Sequence, residues 1–421
     1  MKKILLLTNS FPPINSPATN RYVSFAKYLT EFGYDVIVIT PKWTENSRNY
    51  LEQKTGFITN SNFTADTFQN EYRVVKVEFN GRDSLGEAFF EKLIAKCTLN
   101  SGSYILGDLK KKMLNKVFSI CEAENIDLII SGGLPEYLSE ISSKASKKYD
   151  VPWIADYRDV IGQVSIQATN QMDYFRQFLT RALYIRRDNQ YTKSAIVKTA
   201  AAQKIVDILC ERGNSSVHLV MNGFNPNDFV FESIKQQGDK FTIIHGGTIY
   251  PFQAPEVFLE GLKLFLESSP ELASKLSVKF FGQSSDFIKP MIKSYPFPEI
   301  FKFSGYVERK TLLEEIKSSD LILFLSVQEK GITTSKIYEC LASQVRILSV
   351  PGDKDITSEM ILKANAGGDA STPEAVKNEL ETLFHEWECE GKLKSNVNLD
   401  YINQYSRKEQ AKKLAEIIDA L

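Results

Sequence analysis

The segment from Glu329 to Ser343 combines residue types that could bind a phosphorylated ligand. It follows the apolar run Leu321–Val327, which is typical of a buried strand, and it enters a helix through a short stretch of glycine, threonine and serine. The first amides of a helix lack internal partners, and the helix dipole favours negative charge there. The pattern therefore predicts that an anion contacts the backbone at Gly331, Thr333, Thr334 and Ser335.

Lys336 and Glu339 add two charged side chains to the same segment. Lys336 follows Ser335 directly, and Glu339 lies almost one helical turn further on, so the two share one face of the helix. A diphosphate at the loop and a ribose diol on the Glu339 carboxylate would use these groups together. The alternative is an ordinary surface helix, capped by Thr334 or Ser335, in which Lys336 and Glu339 form an ion pair.

A glycine pair marks a second candidate position. Gly246, Gly247 and Thr248 follow the predicted strand Phe241–His245, and glycine lets a backbone approach a ligand closely. A plain turn from a strand into a helix also favours glycine. We predict that Gly246, Gly247 and Thr248 bind the same ligand as the Glu329–Ser343 segment, and we interpret His245 as a packed residue at the strand end.

Charged side chains also follow a predicted strand in the first half of the chain. Asp156 and Arg158 come directly after Trp153–Ala155, at a strand end where catalytic groups often lie. We predict that Asp156 and Arg158 are catalytic. The alternative is a structural network in which Arg158 pairs with both Asp156 and Asp159.

Three further residues are candidates for substrate contacts. Asn15 and Arg21 follow the predicted first strand, Ile4–Leu7, and are predicted to contact a substrate. Glu136 follows the predicted strand Asp127–Ile130 and is predicted to act as a general base or to contact a substrate.

The elements that position these residues alternate between short apolar runs and amphipathic helices. Ile4–Leu7, a helix near Arg21–Phe32 and Val36–Thr40 form a βαβ unit, which implies parallel pairing. The second half repeats this alternation after a turn-rich junction near Val220–Phe229. We therefore predict an α/β protein of two doubly wound, Rossmann-like domains that face a cleft. The predicted domains are residues 1–219, to which residues 401–421 return, and residues 220–400.

Composition restricts the classes of protein to which the chain could belong. The 421 residues are 43% hydrophobic and 24% charged, as in ordinary globular enzymes. Residues 1–219 have 28 Lys and Arg against 23 Asp and Glu, whereas the remainder has 23 against 29. The five cysteines are widely spaced and the three histidines are scattered. This distribution predicts reduced thiols and no metal site.

The chain also carries signals about its location and its partners. The apolar run at the N-terminus is too short for a signal peptide, and no run is long enough to span a membrane, so we expect a cytoplasmic protein. Tyr174–Ser194 and Leu106–Phe118 nevertheless combine basic and apolar side chains. Such helices can lie on the inner face of an anionic membrane, and they can equally pack on a core with one solvated face. They carry no nucleic-acid-binding motif, so we expect no nucleic-acid partner.

The order of motifs resembles that of GT-B glycosyltransferases, close to the retaining, nucleotide-sugar-dependent family 4. The resemblance covers nearly the whole chain and rests on seven segments, which are LLLTNSFPPINSPATNRYVSF, VPWIADYRDV, LVMNGFNPNDF, HGGTIYPFQAPEVF, FSGYVERKTLLEEIKSSDLILFL, SKIYECLAS and ANAGGDASTPEAVKNEL. It implies that Glu339 holds the donor ribose and that the sugar is transferred with retention. With that activity, Asn15 and Arg21 would bind the acceptor or the donor phosphate, and Glu136 would act as the general base or contact the acceptor. The chain departs from the family pattern at Gly331, where a second glutamate is usual, and in Thr248–Pro255, which contains no basic residue.

We therefore predict a retaining, hexosyltransferase-type enzyme that moves a sugar from a nucleotide-diphosphate sugar to a hydroxyl acceptor. The acceptor would be a carbohydrate or a lipid-linked molecule in cell-surface polysaccharide or glycolipid synthesis. The donor is a substrate, and no further cofactor or metal is expected. Two alternatives remain open, a nucleotide-sugar epimerase of the same fold and a non-catalytic binding subunit.

Overall fold

A computed structural model of the protein describes residues 1–14, 16–43, 71–79, 108–163, 170–229, 238–282 and 287–421. The chain forms two compact units. Unit 1 consists of residues 1–222 and 410–421, and unit 2 consists of residues 223–409. Within the described residues, no helix is long and apolar enough to cross a membrane.

Unit 1 is built on seven strands, all paired in parallel in the order β3-β2-β1-β4-β5-β6-β7. The described strands are β1 (Lys3–Leu7), β2 (Asp35–Pro41), β3 (Arg73–Val77), β4 (Leu128–Gly132), β5 (Trp153–Tyr157), β6 (Val197–Ala200) and β7 (Val217–Leu219). The described helices are α1 (Pro17–Glu31), α2 (Leu109–Ala123), α3 (Tyr137–Tyr149), α4 (Gln171–Thr192) and α5 (Gln203–Glu211).

Alternating residues of the central strand β1 face the two sides of this sheet. Leu5 and Leu7 pack in one hydrophobic cluster, which also contains residues of α2, α3 and α5. Ile4 and Leu6 pack in a second cluster, which contains residues of α1 and of the last helix of the chain. Both faces are therefore covered, as expected for a doubly wound parallel sheet.

Unit 2 is built on six parallel strands in the order β10-β9-β8-β11-β12-β13. The described strands are β8 (Phe241–Gly246), β9 (Leu276–Phe281), β10 (Phe301–Gly305), β11 (Leu321–Leu325), β12 (Arg346–Val350) and β13 (Gly367–Asp369). The described helices are α6 (Glu256–Ser268), α7 (Ile288–Lys293), α8 (Arg309–Ser318), α9 (Lys336–Ala342), α10 (Ile356–Lys363), α11 (Pro373–Glu390), α12 (Leu399–Asn403) and α13 (Arg407–Asp419), and the chain returns to unit 1 within α13.

One large hydrophobic cluster organises unit 2. Phe241 of β8 makes edge-to-face contacts with Phe384 and Trp387 of α11, with ring centroids 5.7 and 5.8 Å apart. Side chains of α6 and of β9 complete the same cluster. The strands are all parallel, so their carboxyl ends lie at one edge of the sheet.

The prediction of an α/β protein with two Rossmann-like sheets is confirmed. The long apolar runs Ile4–Leu7 and Leu321–Leu325 are strands, as predicted. The sequence prediction missed three strands, β3, β7 and β13, each of which lies at a sheet edge and is short or only partly buried. Such strands lack the continuous apolar pattern that marks a buried strand.

Candidate functional site

Three neighbouring strands of unit 2 end at a glycine or directly before one. The Gly247 amide, at the end of β8, donates a hydrogen bond to the Phe281 carbonyl oxygen at 2.7 Å. The Gly282 amide, at the end of β9, donates to the Gly305 carbonyl oxygen of β10, also at 2.7 Å. Gly247 and Gly282 have φ angles of +124° and +107°, which side-chain-bearing residues rarely adopt. This edge of the sheet therefore presents backbone rather than side chains.

The Lys336 side chain occupies the space that Gly247 leaves open. A Cβ atom on Gly247 would lie 1.9 Å from Nζ and 2.4 Å from Cε of Lys336, so the end of the lysine side chain lies directly against this glycine. The φ angle of +124° is what favours glycine at the position. The contact arises because β11 pairs directly with β8, and α9, which begins at Lys336, follows β11 in the chain. Gly246 is less crowded, since a Cβ there would lie 3.4 Å from Leu312, and Thr248 is half-buried.

Lys336 is half-buried, and no carboxylate of the described residues lies within 4.0 Å of its ammonium group. Burial lowers the pKa of Lys336, and the nearby Cys340 and Glu339 offset part of that change. A partly desolvated cation of this kind gains by accepting an anionic ligand. The structure therefore brings together the predicted residues Lys336, Gly246 and Gly247 at one strand edge.

Glu339, one turn further along α9, is held by arginines. Its Oε1 atom accepts a hydrogen bond from Arg309 Nη1 at 2.8 Å, and Arg407 Nη2 lies 3.7 Å from the same oxygen. Arg309 also donates through Nη2 to Asp228 at 2.8 Å. Glu339 does not form the alternative ion pair with Lys336 within the described structure. Its carboxylate is instead oriented by two guanidinium groups.

Arg309 and Arg407 were not among the residues predicted from the sequence. Arg309 is the first residue of α8, four positions after the end of β10, and Arg407 begins the last helix. A basic residue at the start of a helix interacts unfavourably with the helix dipole. Its presence there is a local sign that the side chain makes another contact. Nothing local indicates that either side chain reaches Glu339, because that contact depends on the tertiary structure.

The loop before α9 makes hydrogen bonds with α10 and with Asp355, the residue that directly precedes α10. Gly331, with φ of +74°, donates its amide to Asp355 Oδ2 at 2.5 Å, and Thr333 Oγ1 accepts a hydrogen bond from the Thr357 hydroxyl at 2.9 Å. No side chain caps α9 at Ser335. The amides of Thr333, Thr334 and Ser335 donate to no residue that the structure describes.

His245 lies buried between the glycine pair and β11. Its Nδ1 atom lies 3.0 Å from the Leu323 carbonyl oxygen, and its Nε2 atom has no partner among the described residues. Burial, with a smaller contribution from the positive charge of Lys336, lowers the pKa of His245 to about 3. His245 is therefore neutral at physiological pH and adds no charge beneath Lys336.

The candidates of unit 1 include a fully buried ion pair. Asp156 accepts two hydrogen bonds from Arg21, from Nη2 to Oδ1 at 2.6 Å and from Nε to Oδ2 at 2.9 Å. The Thr199 hydroxyl donates to Asp156 Oδ1 at 2.6 Å, and Arg21 Nη1 donates to the Met221 carbonyl oxygen at 3.1 Å. Arg21 is 4% exposed and Asp156 is not exposed at all. The buried charges of Arg21 and Asp156 thus compensate each other.

Arg158 is separate from this pair. It forms an ion pair with Asp159 alone among the described carboxylates, so the hypothesis that it bridges Asp156 and Asp159 is wrong. The reason is geometric, because β5 ends at Tyr157 and the Asp156 carboxylate already faces Arg21. Asn15 lies outside the described residues.

Glu136 lines a cavity of about 410 Å³ within unit 1. Its Oε1 atom lies 3.6 Å from Arg187 Nη1, and its buried Oε2 atom has no hydrogen-bond partner in the described structure. Burial raises the pKa of Glu136, and Arg187 offsets part of that rise. Polar side chains make up much of the remaining lining, namely Lys110, Tyr137, Glu140, Tyr184 and Tyr191. The cavity can therefore bind a polar ligand through several hydrogen bonds.

Comparisons of sequence find no relatives, since no family model and no curated protein match the chain. Comparisons of structure do find proteins of similar fold. HepE from Anabaena, solved in complex with UDP, is 13% identical, with a TM-score of 0.63 and 100% of both chains covered. HepE has also been solved in complex with UDP-glucose.

Two other solved structures have the same architecture. A glycosyltransferase from Rickettsia africae is 13% identical, with a TM-score of 0.62, and the match covers 99% of this chain and 97% of the other. A putative UDP-N-acetylglucosamine 2-epimerase from Listeria monocytogenes is 10% identical, with a TM-score of 0.53, and the match covers 100% and 96%. The chain therefore has the GT-B fold, which it shares with nucleotide-sugar glycosyltransferases.

Proposed function

We propose that this protein transfers a hexosyl group from a nucleotide-diphosphate sugar to a hydroxyl acceptor, with retention at the anomeric carbon. Unit 2 binds the donor, and unit 1 binds the acceptor. The acceptor is a carbohydrate or a lipid-linked molecule, and the reaction belongs to the assembly of a surface polysaccharide or glycolipid. The fold supports this general class, and the side chains of the two units support the individual roles.

The observation that carries the proposal is the position of Lys336 against Gly247. The family that the sequence resembles often has basic residues in the loop after this glycine pair, and Thr248–Pro255 has none. Lys336 reaches the same glycine from α9 and supplies a cation there, with Nζ only 1.9 Å from the position of a Gly247 Cβ. Its ammonium group would bind the donor diphosphate and stabilise the negative charge that develops on it as the glycosidic bond breaks.

Glu339 would bind the ribose of the donor. It shares the face of α9 with Lys336, and Arg309 and Arg407 orient its carboxylate from one side. Within the described residues, the distances of 2.8 and 3.7 Å from the two arginines are those to Oε1, so Oε2 would accept hydrogen bonds from the hydroxyl groups of a diol. Gly246, Thr248 and the amides of Thr333, Thr334 and Ser335 complete the donor site in this proposal. The Gly331 amide, which was predicted to contact the anion, donates to Asp355 instead and shapes the loop.

Glu136 would contact the acceptor. Its buried Oε2 atom has no described partner and lies at a polar cavity, so a sugar hydroxyl could donate a hydrogen bond to it. Burial raises the pKa of Glu136, which suits a group that takes up a proton from an attacking hydroxyl. Asp156 and Arg21 bind each other, so we assign them a structural role at the end of β5. Arg158 follows β5 and pairs with Asp159 instead.

The test combines ligand binding with turnover. Wild type and Glu339→Ala are heated with UDP, GDP, dTDP or ADP, since a ligand at about 100 times its Kd stabilises a folded protein by ~2.7 kcal/mol. We expect one nucleotide to raise the midpoint of wild type and to have no effect on Glu339→Ala. The matching nucleotide sugar is then incubated with and without candidate acceptors.

The outcomes separate the alternatives. Sugar transfer that requires an acceptor supports the transferase, and a changed sugar without an acceptor identifies an epimerase. Nucleotide binding without either product identifies a non-catalytic binding subunit. No thermal shift with any of the four nucleotides would contradict the assigned donor site.

A further inference from the structure

The first part of α4 carries an apolar surface that the described structure leaves in solvent. Among the 22 residues of α4, only Asp188 and Thr192 are buried, and both lie in the last two turns. Met172 and Phe175 are 83% and 65% exposed. The other large apolar residues with exposed side chains on this helix are Tyr174, Phe178, Leu179 and Leu183.

Four of these residues form a continuous stripe. Met172, Phe175, Leu179 and Leu183 have the spacing of one helix face, so they lie above one another along α4. Exposed apolar residues are common when they occur singly, whereas contiguous apolar surface marks a binding site. The first part of α4 therefore has the character of a binding surface.

The charges on α4 are arranged around this stripe. With about 100° of rotation per residue, Arg176 and Arg186 lie within roughly 60° of the centre of the stripe, one at each end. The Arg176 side chain is 71% exposed, and Arg186 is also exposed. The helix has only two acids. Asp188 is buried against the Tyr157 hydroxyl, and Asp173 accepts hydrogen bonds from Arg176 and Gln177.

The solvent-facing surface of α4 is therefore apolar along its centre and positive at its borders. A basic partner would be repelled, and an acidic partner without an apolar layer would leave Met172 and Phe175 in water. A bilayer with anionic headgroups offers both an apolar layer and negative charge. Helices with aromatic and aliphatic residues on one face and arginines beside them lie in such an interface.

We propose that α4 binds the surface of an anionic membrane through Met172, Phe175, Leu179 and Leu183, with Arg176 and Arg186 contacting lipid headgroups. The second half of α4 contributes Tyr184, Arg187 and Tyr191 to the cavity at Glu136. One helix thus carries the membrane contact and part of a polar cavity. The proposal does not depend on nucleotide binding, because all of its residues belong to unit 1.

The experiment measures binding of the full chain to sedimented vesicles. One set of vesicles contains phosphatidylcholine alone, and the other contains phosphatidylcholine and phosphatidylglycerol. We expect binding to the anionic vesicles, weakened by salt. Phe175→Ser/Leu179→Ser should bind roughly a hundredfold less, since two buried apolar side chains are lost. Arg176→Gln/Arg186→Gln should bind about 30-fold less to the anionic vesicles.

Leu362→Ser is the matched control, because Leu362 is an exposed leucine on a helix of unit 2. It should bind vesicles as wild type does. Thermal midpoints and nucleotide binding should remain unchanged in all three variants, which separates this proposal from the proposed donor site.

Three results would overturn the proposal. Wild type could fail to bind anionic vesicles, or it could bind vesicles of both compositions equally well. Wild type could also self-associate in light scattering, with Phe175→Ser/Leu179→Ser restoring the monomer and vesicle binding absent. That last result would assign the surface to a second copy of the chain.

Discussion

Both sheets place charged residues at the carboxyl ends of parallel strands, and the two sets differ in how their charges are satisfied. In unit 1, Arg21 and Asp156 form a bidentate pair that excludes water. In unit 2, Lys336 is half-buried beside Gly247 and has no carboxylate within 4.0 Å among the described residues. The charges of Arg21 and Asp156 are paired within the protein, whereas the charge of Lys336 can accept an anionic ligand.

The difference shows that a strand end alone does not identify a binding group. Asp156 has the residue type and the position of a catalytic acid, and a buried arginine occupies both of its oxygens. Lys336 has an ordinary position at the start of a short helix, and a glycine on the neighbouring strand makes it distinctive. Burial and pairing, rather than residue type, decide which charge is available.

The largest effect should come from breaking the pair in unit 1. We expect Asp156→Ala to lower the free energy of unfolding by about 3–5 kcal/mol, because it leaves the Arg21 guanidinium buried without its partner. Urea denaturation with intrinsic fluorescence measures this value. If the variant does not fold, Arg21→Met/Asp156→Leu should restore folding, since it removes both charges and fills the space.

The neighbouring pair of Arg158 and Asp159 is the control. It is much more exposed, and Asp159→Ala should cost only about 0–1 kcal/mol. Equal losses for Asp156→Ala and Asp159→Ala would contradict the contrast between a buried structural pair and an open site.

A smaller effect should come from His245, which lies beside the open site. The pKa of His245 is about 3 in the folded protein, against ~6.5 in an unfolded chain. The unfolded state therefore binds more protons below pH ~6.5, and stability falls as the pH falls. Between about pH 7 and pH 5, this titration should lower the free energy of unfolding of wild type by ~2 kcal/mol. His245→Gln should not show this loss.

The measurement is the free energy of unfolding of wild type and of His245→Gln at both pH values. The comparison uses only the change with pH, so a constant loss caused by the substitution does not affect it. Parallel curves for the two proteins would show that His245 titrates normally and that it is not buried beneath Lys336.

Much of the fold could be predicted from the sequence because its signals are local. Continuous apolar runs such as Leu321–Leu325 mark buried parallel strands, and the change to a helical pattern after them marks a crossover. The segment Gly331–Glu339 was likewise predicted as a loop and a helix from its own residues. Short edge strands such as Gly367–Asp369 were missed, because a sheet edge imposes little apolar pattern.

The contacts within the candidate site could not be predicted in the same way. The meeting of Lys336 with Gly247 depends on the pairing of β11 with β8, which no local pattern specifies. The pairing of Arg21 with Asp156, rather than Arg158 with Asp156, depends on the sheet order that brings α1 and β5 together. Arg309 was missed for the same reason, since its contact with Glu339 joins two helices that follow different strands.

The most direct test of the central claim is calorimetric titration of the preferred nucleoside diphosphate into wild type and Lys336→Met. Lys363→Met is the control, because Lys363 is an exposed lysine already paired with Glu359. We predict about 10- to 100-fold weaker binding for Lys336→Met, as expected for the loss of a charged hydrogen bond, with no loss of stability. Unchanged affinity in Lys336→Met, or a loss of stability as large as that of Asp156→Ala, would show that Lys336 is a structural residue and would contradict the account.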